Sequence, residues 1–165
     1  MRDIVLVAHN LRSTHNVGSL LRTAEGMGVS KVILSGYTPH PQRVHDRRLP
    51  HEVAKLEKQI NKSALGAQDM LNWEYHHNLS PVLAKLKKDG FVVAAVEQAD
   101  DAKELPSYHP PEKIVLIVGR EVEGIEPEIL ALCDVTLEIP MFGKKESFNV
   151  VQAAAMTLYH CRFTI

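Results

Sequence analysis

Five short apolar runs separated by helix-like stretches predict an α/β fold with a mostly parallel sheet flanked by helices. Two observations support this. The runs are continuous rather than alternating, as expected of strands buried on both faces. Between them, apolar residues recur at three- and four-residue steps, so strand and helix alternate along the chain.

The first run is residues 4–8 (Ile-Val-Leu-Val-Ala), and residues 31–34, 91–96, 114–118 and 135–139 read the same way. Val17, Leu20, Leu21, Ala24 and Met27 mark a first helix, with Gly28 placed as its C-terminal cap. Val82, Leu83 and Leu86 mark another, with Pro81 near its start and Gly90 just past its end. A short helix is expected at residues 127–132 and a final one at 150–159. The interval 36–78 is less regular, rich in proline, histidine and arginine, with a helix around 52–59; connections of that length are commonly functional or mobile. Trp73 and Tyr75 read as aromatic packing in the core or at an edge.

At 165 residues the chain suits one domain, 1–165, with a single core. A 45% apolar and 24% charged composition is that of a globular protein. The longest apolar runs fall far short of the roughly 20 residues that span a bilayer, so no membrane partner is expected. No signal-peptide profile and only two cysteines, neither in a Cys-x-x-Cys pair, point to a cytoplasmic location. A net charge of −1 argues against blanket nucleic-acid coating but allows a local basic patch. The nine histidines show no ligand spacing, are expected to be scattered over the surface, and predict no metal.

Three loops that leave strand ends carry the chemistry. Asn10, Arg12 and Asn16 follow the first strand, at the edge where open α/β sheets bind ligands, and Arg22 is close enough to reach back. A plain reading is also open, in which Asn16 caps the helix and Arg22 is a solvated cation. Gly119-Arg120-Glu121-Val122-Glu123-Gly124 follows the fourth strand. Its glycines permit close backbone approach and Glu121 offers an acceptor, yet it is neither a P-loop nor a Gly-x-Gly-x-x-Gly turn. It also reads as an ordinary glycine turn. Residues 139–149 follow the fifth strand, where Asn149 with Gln152 reads as a variant capping box, leaving Ser147 unexplained.

Taken in order, Asn16-x-Gly18-x-x-x-Arg22, Gly119-x-Glu121-x-x-Gly124 and Ile139-Pro140-Met141-x-Gly143-x-x-x-Ser147-x-Asn149-Val150 resemble the three motifs of the SpoU/TrmH branch of the SPOUT RNA methyltransferases. The resemblance covers nearly the whole chain. It implies a C-terminal trefoil knot, S-adenosylmethionine as cofactor, a homodimer with active sites near the subunit interface, and methyl transfer to a ribose 2′-hydroxyl of tRNA or rRNA. By motif, Arg22, Asn16, Glu121, Ser147 and Asn149 would be catalytic. Gly119, Glu121, Ile139, Met141 and Phe148 would hold the cofactor. Arg12, Arg43, Arg47, Arg48, Lys144 and Lys145 would meet RNA phosphates, while Lys85, Lys87 and Lys88 form a plain helix face. A chain with no added RNA-binding domain slightly favours tRNA. Arg120, Phe148 and Val151-Gln152 depart from commoner family residues and leave the pocket's shape and substrate open. A non-catalytic RNA-binding or assembly protein of the same fold is the alternative. A nucleotide-binding protein unrelated to RNA is disfavoured by the missing phosphate loop.

Overall fold

Every apolar run named above becomes a strand, and all of them pair in parallel. A computed structural model describes residues 1–164. Its strands are β1 (Asp3–His9), β2 (Lys31–Ser35), β3 (Trp73–His76), β4 (Val92–Val96), β5 (Lys103–Glu104), β6 (Lys113–Val118) and β7 (Val135–Glu138). They form a seven-stranded sheet in the order β3-β2-β1-β6-β4-β7-β5. The helices are α1 (Thr14–Gly26), α2 (Pro50–Ala64), α3 (Ala67–Met70), α4 (Ser80–Lys88), α5 (Pro127–Leu130) and α6 (Val150–Phe163). A short 3₁₀ turn spans Leu105–Ser107.

Alternate residues of each strand face opposite layers. Ile4, Leu6, Ala8, Leu116 and Val118 pack in one core with Leu20, Leu21 and Ala24 of α1 and Leu158 of α6. Val5, Val7, Val115 and Ile117 pack in the other with Leu83 of α4 and Ile129 of α5. Both faces of β1 and β6 are covered, which is why their sequences carry no polar alternation.

The sheet has two strands more than the five apolar runs. β3 is a half-buried edge strand, so Glu74 and His76 interleave with Trp73 and Tyr75 and no apolar run marks it. β5 has two exposed residues, too few for any periodic signal. The expected helix at 52–59 runs Pro50–Ala64, and α6 extends one turn past residue 159. The proline and glycine signals hold: Pro81 lies in the first turn of α4, and Gly28 and Gly90 take positive φ of 62° and 87° after their helices. Trp73 and Tyr75 are packing residues of β3; Trp73 Nε1 donates to Gln68 O at 3.1 Å and Tyr75 OH to Gly36 O at 2.6 Å.

Gly18 is required by packing rather than by ligand chemistry. A Cβ there would lie 2.3 Å from Ile60 O and 2.2 Å from Ser63 Oγ of α2. The hydroxyl of Ser63 donates to His15 O at 2.8 Å, so the two helices meet backbone to backbone. At the opposite end α6 is held by a reciprocal arginine clasp. Arg2 Nη1 donates to Cys161 O at 3.2 Å and Arg162 Nη1 to Arg2 O at 2.7 Å, while Arg162 Nε and Nη2 reach Met27 O and Gly28 O.

Gly18→Ala is expected to destabilise the protein by about 1–3 kcal/mol, because backbone atoms of α2 must move to admit the methyl group. Thermal unfolding would record this as a drop of roughly 2–4 °C for each kcal/mol.

Candidate active site

Parallel pairing brings the carboxyl ends of β1, β6, β4 and β7 to one edge, and the three polar loops meet there. Ser13, not Asn16, caps α1: its Oγ accepts the amide of Asn16 at 3.1 Å. The Asn16 side chain is thereby free, and its Nδ2 donates to Glu121 Oε1 at 2.9 Å. Asn149 caps α6 through Val151 N at 2.9 Å, with no return bond from Gln152, and its Nδ2 lies 3.5 Å from Asn16 Oδ1. One residue from each loop thus joins a single chain of contacts, Glu121–Asn16–Asn149.

Beside this chain lies a cleft at the ends of β4, β6 and β7. Leu137, Ile139, Phe148 and Val150 give it an apolar wall, and Gly119, Glu121 and Ser147 line it as well. Three carboxylates, Glu97, Glu121 and Glu138, face one cation, Arg120. Glu97 is not among the residues expected from the sequence, although it directly follows an apolar strand as the other loops do. Its carboxylate accepts Ile125 N at 3.1 Å and Gln98 N at 3.0 Å, and occupies the space where a Cβ on Gly124 would stand 2.3 Å from Oε2. Met141 lies outside the lining.

Arg22 is exposed on α1 and takes no part in lining the cleft, so the expected reach back to the sheet edge is not made within one chain. Of the basic residues, Arg12 pairs with Glu123 at 3.2 Å in an exposed contact. Arg43 stacks over the Tyr75 ring, 5.0 Å from its centroid. Arg48 is taken up by its own loop, donating to His40 O at 3.1 Å, Pro41 O at 3.0 Å and the Asp46 carboxylate. Arg47, Lys144 and Lys145 are exposed.

Two histidines depart from the expected surface placement. His9 and His40 are buried. His9 Nδ1 lies 2.8 Å from Ser35 Oγ, and its Nε2 lies 3.2 Å from both Asn10 Nδ2 and Glu126 Oε2. Asn10 Nδ2 also donates to Glu126 Oε1 at 2.6 Å. Glu126 closes the 119–126 loop, so the ends of β1 and β2 brace the loop that carries Glu121. Burial pushes the His9 pKa down more strongly than Glu126 pulls it up. Burial would raise the Glu126 carboxyl, but its own amide, Asn10, His9 and Arg120 together bring it below the ordinary value. Burial likewise depresses His40. The Arg48 guanidinium holds Asp46 well below the usual carboxylate range. No group of three or more histidine, cysteine or carboxylate side chains able to hold a metal occurs among the described residues. Nor is any described helix long and apolar enough to cross a membrane.

Residues 3–159 match the sequence profile of the SpoU rRNA Methylase family. The chain belongs to this family. It is 32% identical over 162 residues to the 23S rRNA (guanosine-2′-O-)-methyltransferase RlmB of Acinetobacter baylyi, covering 96% of this chain and 59% of that protein. The chain spans 56% to 59% of the length of the curated bacterial relatives it matches. Among solved structures, the AdoMet-bound rRNA methyltransferase of Sinorhizobium meliloti superposes with a TM-score of 0.82 at 20% identity, covering 97% of this chain and 56% of that one. A structure concerned with 2-OH methylation of C/U34 on tRNA superposes with a TM-score of 0.75 at 24% identity, covering 97% of this chain and 94% of that one. These two likenesses show that the sheet and helices are arranged as in those two structures.

His9 and His40 stay neutral in the folded protein at pH values where an unfolded histidine, with its ordinary value of 6.5, takes up a proton. The unfolded chain then binds more protons than the folded one, so stability is expected to fall as pH drops below 6.5. Thermal melts between about pH 8 and about pH 5.5 should show this decline, and replacing both histidines with glutamine should flatten it.

Proposed function

We propose that this chain is an S-adenosylmethionine-dependent RNA methyltransferase that modifies a ribose 2′-hydroxyl of tRNA or rRNA. The observation carrying this reading is the convergence of Asn16, Glu121 and Asn149 beside a cleft whose carboxylates outnumber its cations. Such a lining repels phosphates and suits a ligand with cationic groups, while the apolar wall suits a purine. S-adenosylmethionine combines these features and, when bound, supplies an electrophilic methyl group on a sulfonium. Leu137, Ile139 and Phe148 would flank its base, Glu97 and Glu138 would accept bonds from its hydroxyl or ammonium groups, and Gly119 would allow close approach of the backbone.

The chain's own task is to prepare the sugar oxygen. A ribose hydroxyl is a weak nucleophile near neutral pH and needs its proton removed or its developing charge stabilised. Asn16, held by Glu121, and Ser147 at the cleft mouth would orient that hydroxyl. Arg22 would provide the positive field for the alkoxide. A guanidinium with a pKa above about 12 is a poor base, so an adjacent RNA phosphate is the better proton acceptor.

Because Arg22 stands outside the cleft of its own chain, the reading requires a homodimer in which each copy lends Arg22 to the other's cleft. The exposed Tyr159–Phe163 pair on α6, with ring centroids 4.7 Å apart, supports an apolar partner face there. The threaded C-terminus belongs to the same reading.

Calorimetry with S-adenosylmethionine, followed by mass spectrometry of nucleosides from tRNA and rRNA incubated with both, tests the reading. Micromolar-range binding and a 2′-O-methylated nucleoside are expected; absence of cofactor binding overturns it. Arg22→Ala is expected to lower methyl transfer about 10²–10³-fold, the scale of a lost oxyanion donor, with little change in cofactor affinity. Retained turnover would remove Arg22 from the chemistry.

A further inference from the structure

The cofactor cleft accounts for one part of the sheet edge. A second groove opens on the other side of the three-loop junction, between the start of α1, the 37–40 segment and α2. Its volume is about 610 Å³. Arg12, Tyr37, His40, Arg48 and Tyr75 line it, and no carboxylate does. This sets it apart from three other clefts on the surface. The cofactor cleft carries Glu97, Glu121 and Glu138; a second carries Asp46, Glu57 and Asp69; a third carries Glu126 and Glu128.

Tyr37 is the residue there that the fold leaves unexplained. The residue is 50% exposed, whereas its neighbours Gly36 and Thr38 are buried. The backbone beneath it is fixed: Asn10 Oδ1 accepts Tyr37 N at 3.1 Å. That bond needs a glycine before it, because a Cβ on Gly36, at φ +67°, would fall 1.8 Å from Asn10 Oδ1. The Arg12 guanidinium lies 6.0 Å from the centre of the Tyr37 ring, and its partner Glu123 is held only in an exposed contact that a phosphate can displace. Through Asn10, which also holds Glu126, the platform is tied to the loop that presents Glu121.

We propose that Tyr37 and Arg12 form a stacking subsite for a nucleotide of the RNA strand next to the one being modified. The exposed ring takes the base and Arg12 takes a neighbouring phosphate. An aromatic platform beside an arginine, in a groove with no carboxylate in its lining and with Glu123 and Asp46 paired to its arginines, matches the way single-stranded RNA is gripped without sequence readout. The subsite rests on the RNA-directed reading above and gives it a direction: the strand enters on the β1–β2 side of the edge, opposite the cofactor cleft.

The test uses the full chain and filter binding to purified cellular tRNA and rRNA, with calorimetry for S-adenosylmethionine in parallel. Tyr37→Ala is expected to weaken RNA binding about 5- to 150-fold, the loss of one stacked base, while Tyr37→Phe stays within about twofold of the parent. Arg12→Gln is expected to lower the slope of log Kd against log salt by about 0.7, one single-strand phosphate contact. Cofactor affinity stays unchanged in all three. RNA binding by Tyr37→Ala within twofold of the parent overturns the subsite, as does an equal loss in Tyr37→Phe or an unaltered salt slope in Arg12→Gln. A parent protein that methylates RNA with Tyr37→Ala unaffected removes the subsite alone. One that binds RNA through Tyr37 but never binds S-adenosylmethionine removes the methyltransferase reading alone.

Discussion

Parallel pairing of every strand is the constraint on which this molecule's chemistry depends. Only when all strands run the same way do the loops after β1, β6 and β7 emerge at one edge, although 105 residues separate Asn16 from Glu121 and 133 separate it from Asn149. The contacts that join them are exposed and contribute little to stability by themselves. Their geometry is therefore set by the scaffold: Ser13 satisfies the start of α1, and the side chain of Asn16, relieved of capping, is free to meet the acidic loop.

The acidic loop is braced from behind as well. His9, Ser35, Asn10 and Glu126 form a compact polar cluster at the ends of β1 and β2, and Glu126 fixes one end of the segment that carries Glu121. Glu97 holds the same segment from the β4 side through Ile125 N. Two carboxylates from different directions thus clamp one short loop. Gly124, at φ +69° under Glu97, follows from that clamp: the carboxylate fills the volume a side chain would need.

Much of this is legible in the sequence, and the failures have physical causes. Strands buried on both faces announce themselves as unbroken apolar runs, so β1, β2, β4 and β6 are readable, while β7, with Thr136 and Glu138 in a mostly half-buried strand, is readable by its place in the alternation of strand and helix. β3 is half-buried at an edge and β5 is only two residues long, so neither leaves a hydrophobic period. The motif residues Asn16, Glu121 and Asn149 are readable because each follows a strand. Glu97 escapes notice although it does the same, since a lone glutamate after an apolar run looks like a solvated surface group. Asn16 and Ser13 compete on paper for the same capping role, and only the backbone path decides between them. Arg48 reads as a cation waiting for phosphate, yet carbonyls of its own loop and Asp46 consume its donors. Burial of His9 and His40 depends on long-range packing that composition cannot express.

The arginine clasp at the end of α6 has a consequence for how this protein responds to small molecules. Phe148, Val150 and Ala153, at or just before the start of that helix, wall the cleft, while Arg2 and Arg162 fasten its far end to the first strand and to the turn after α1. The wall exists only while the helix is seated. Any molecule that occupies the cleft therefore binds the seated state alone, and by mass action it favours seating of the start of α6 as its concentration rises above its dissociation constant. Ligand occupancy and seating of the last helix are two readings of one equilibrium.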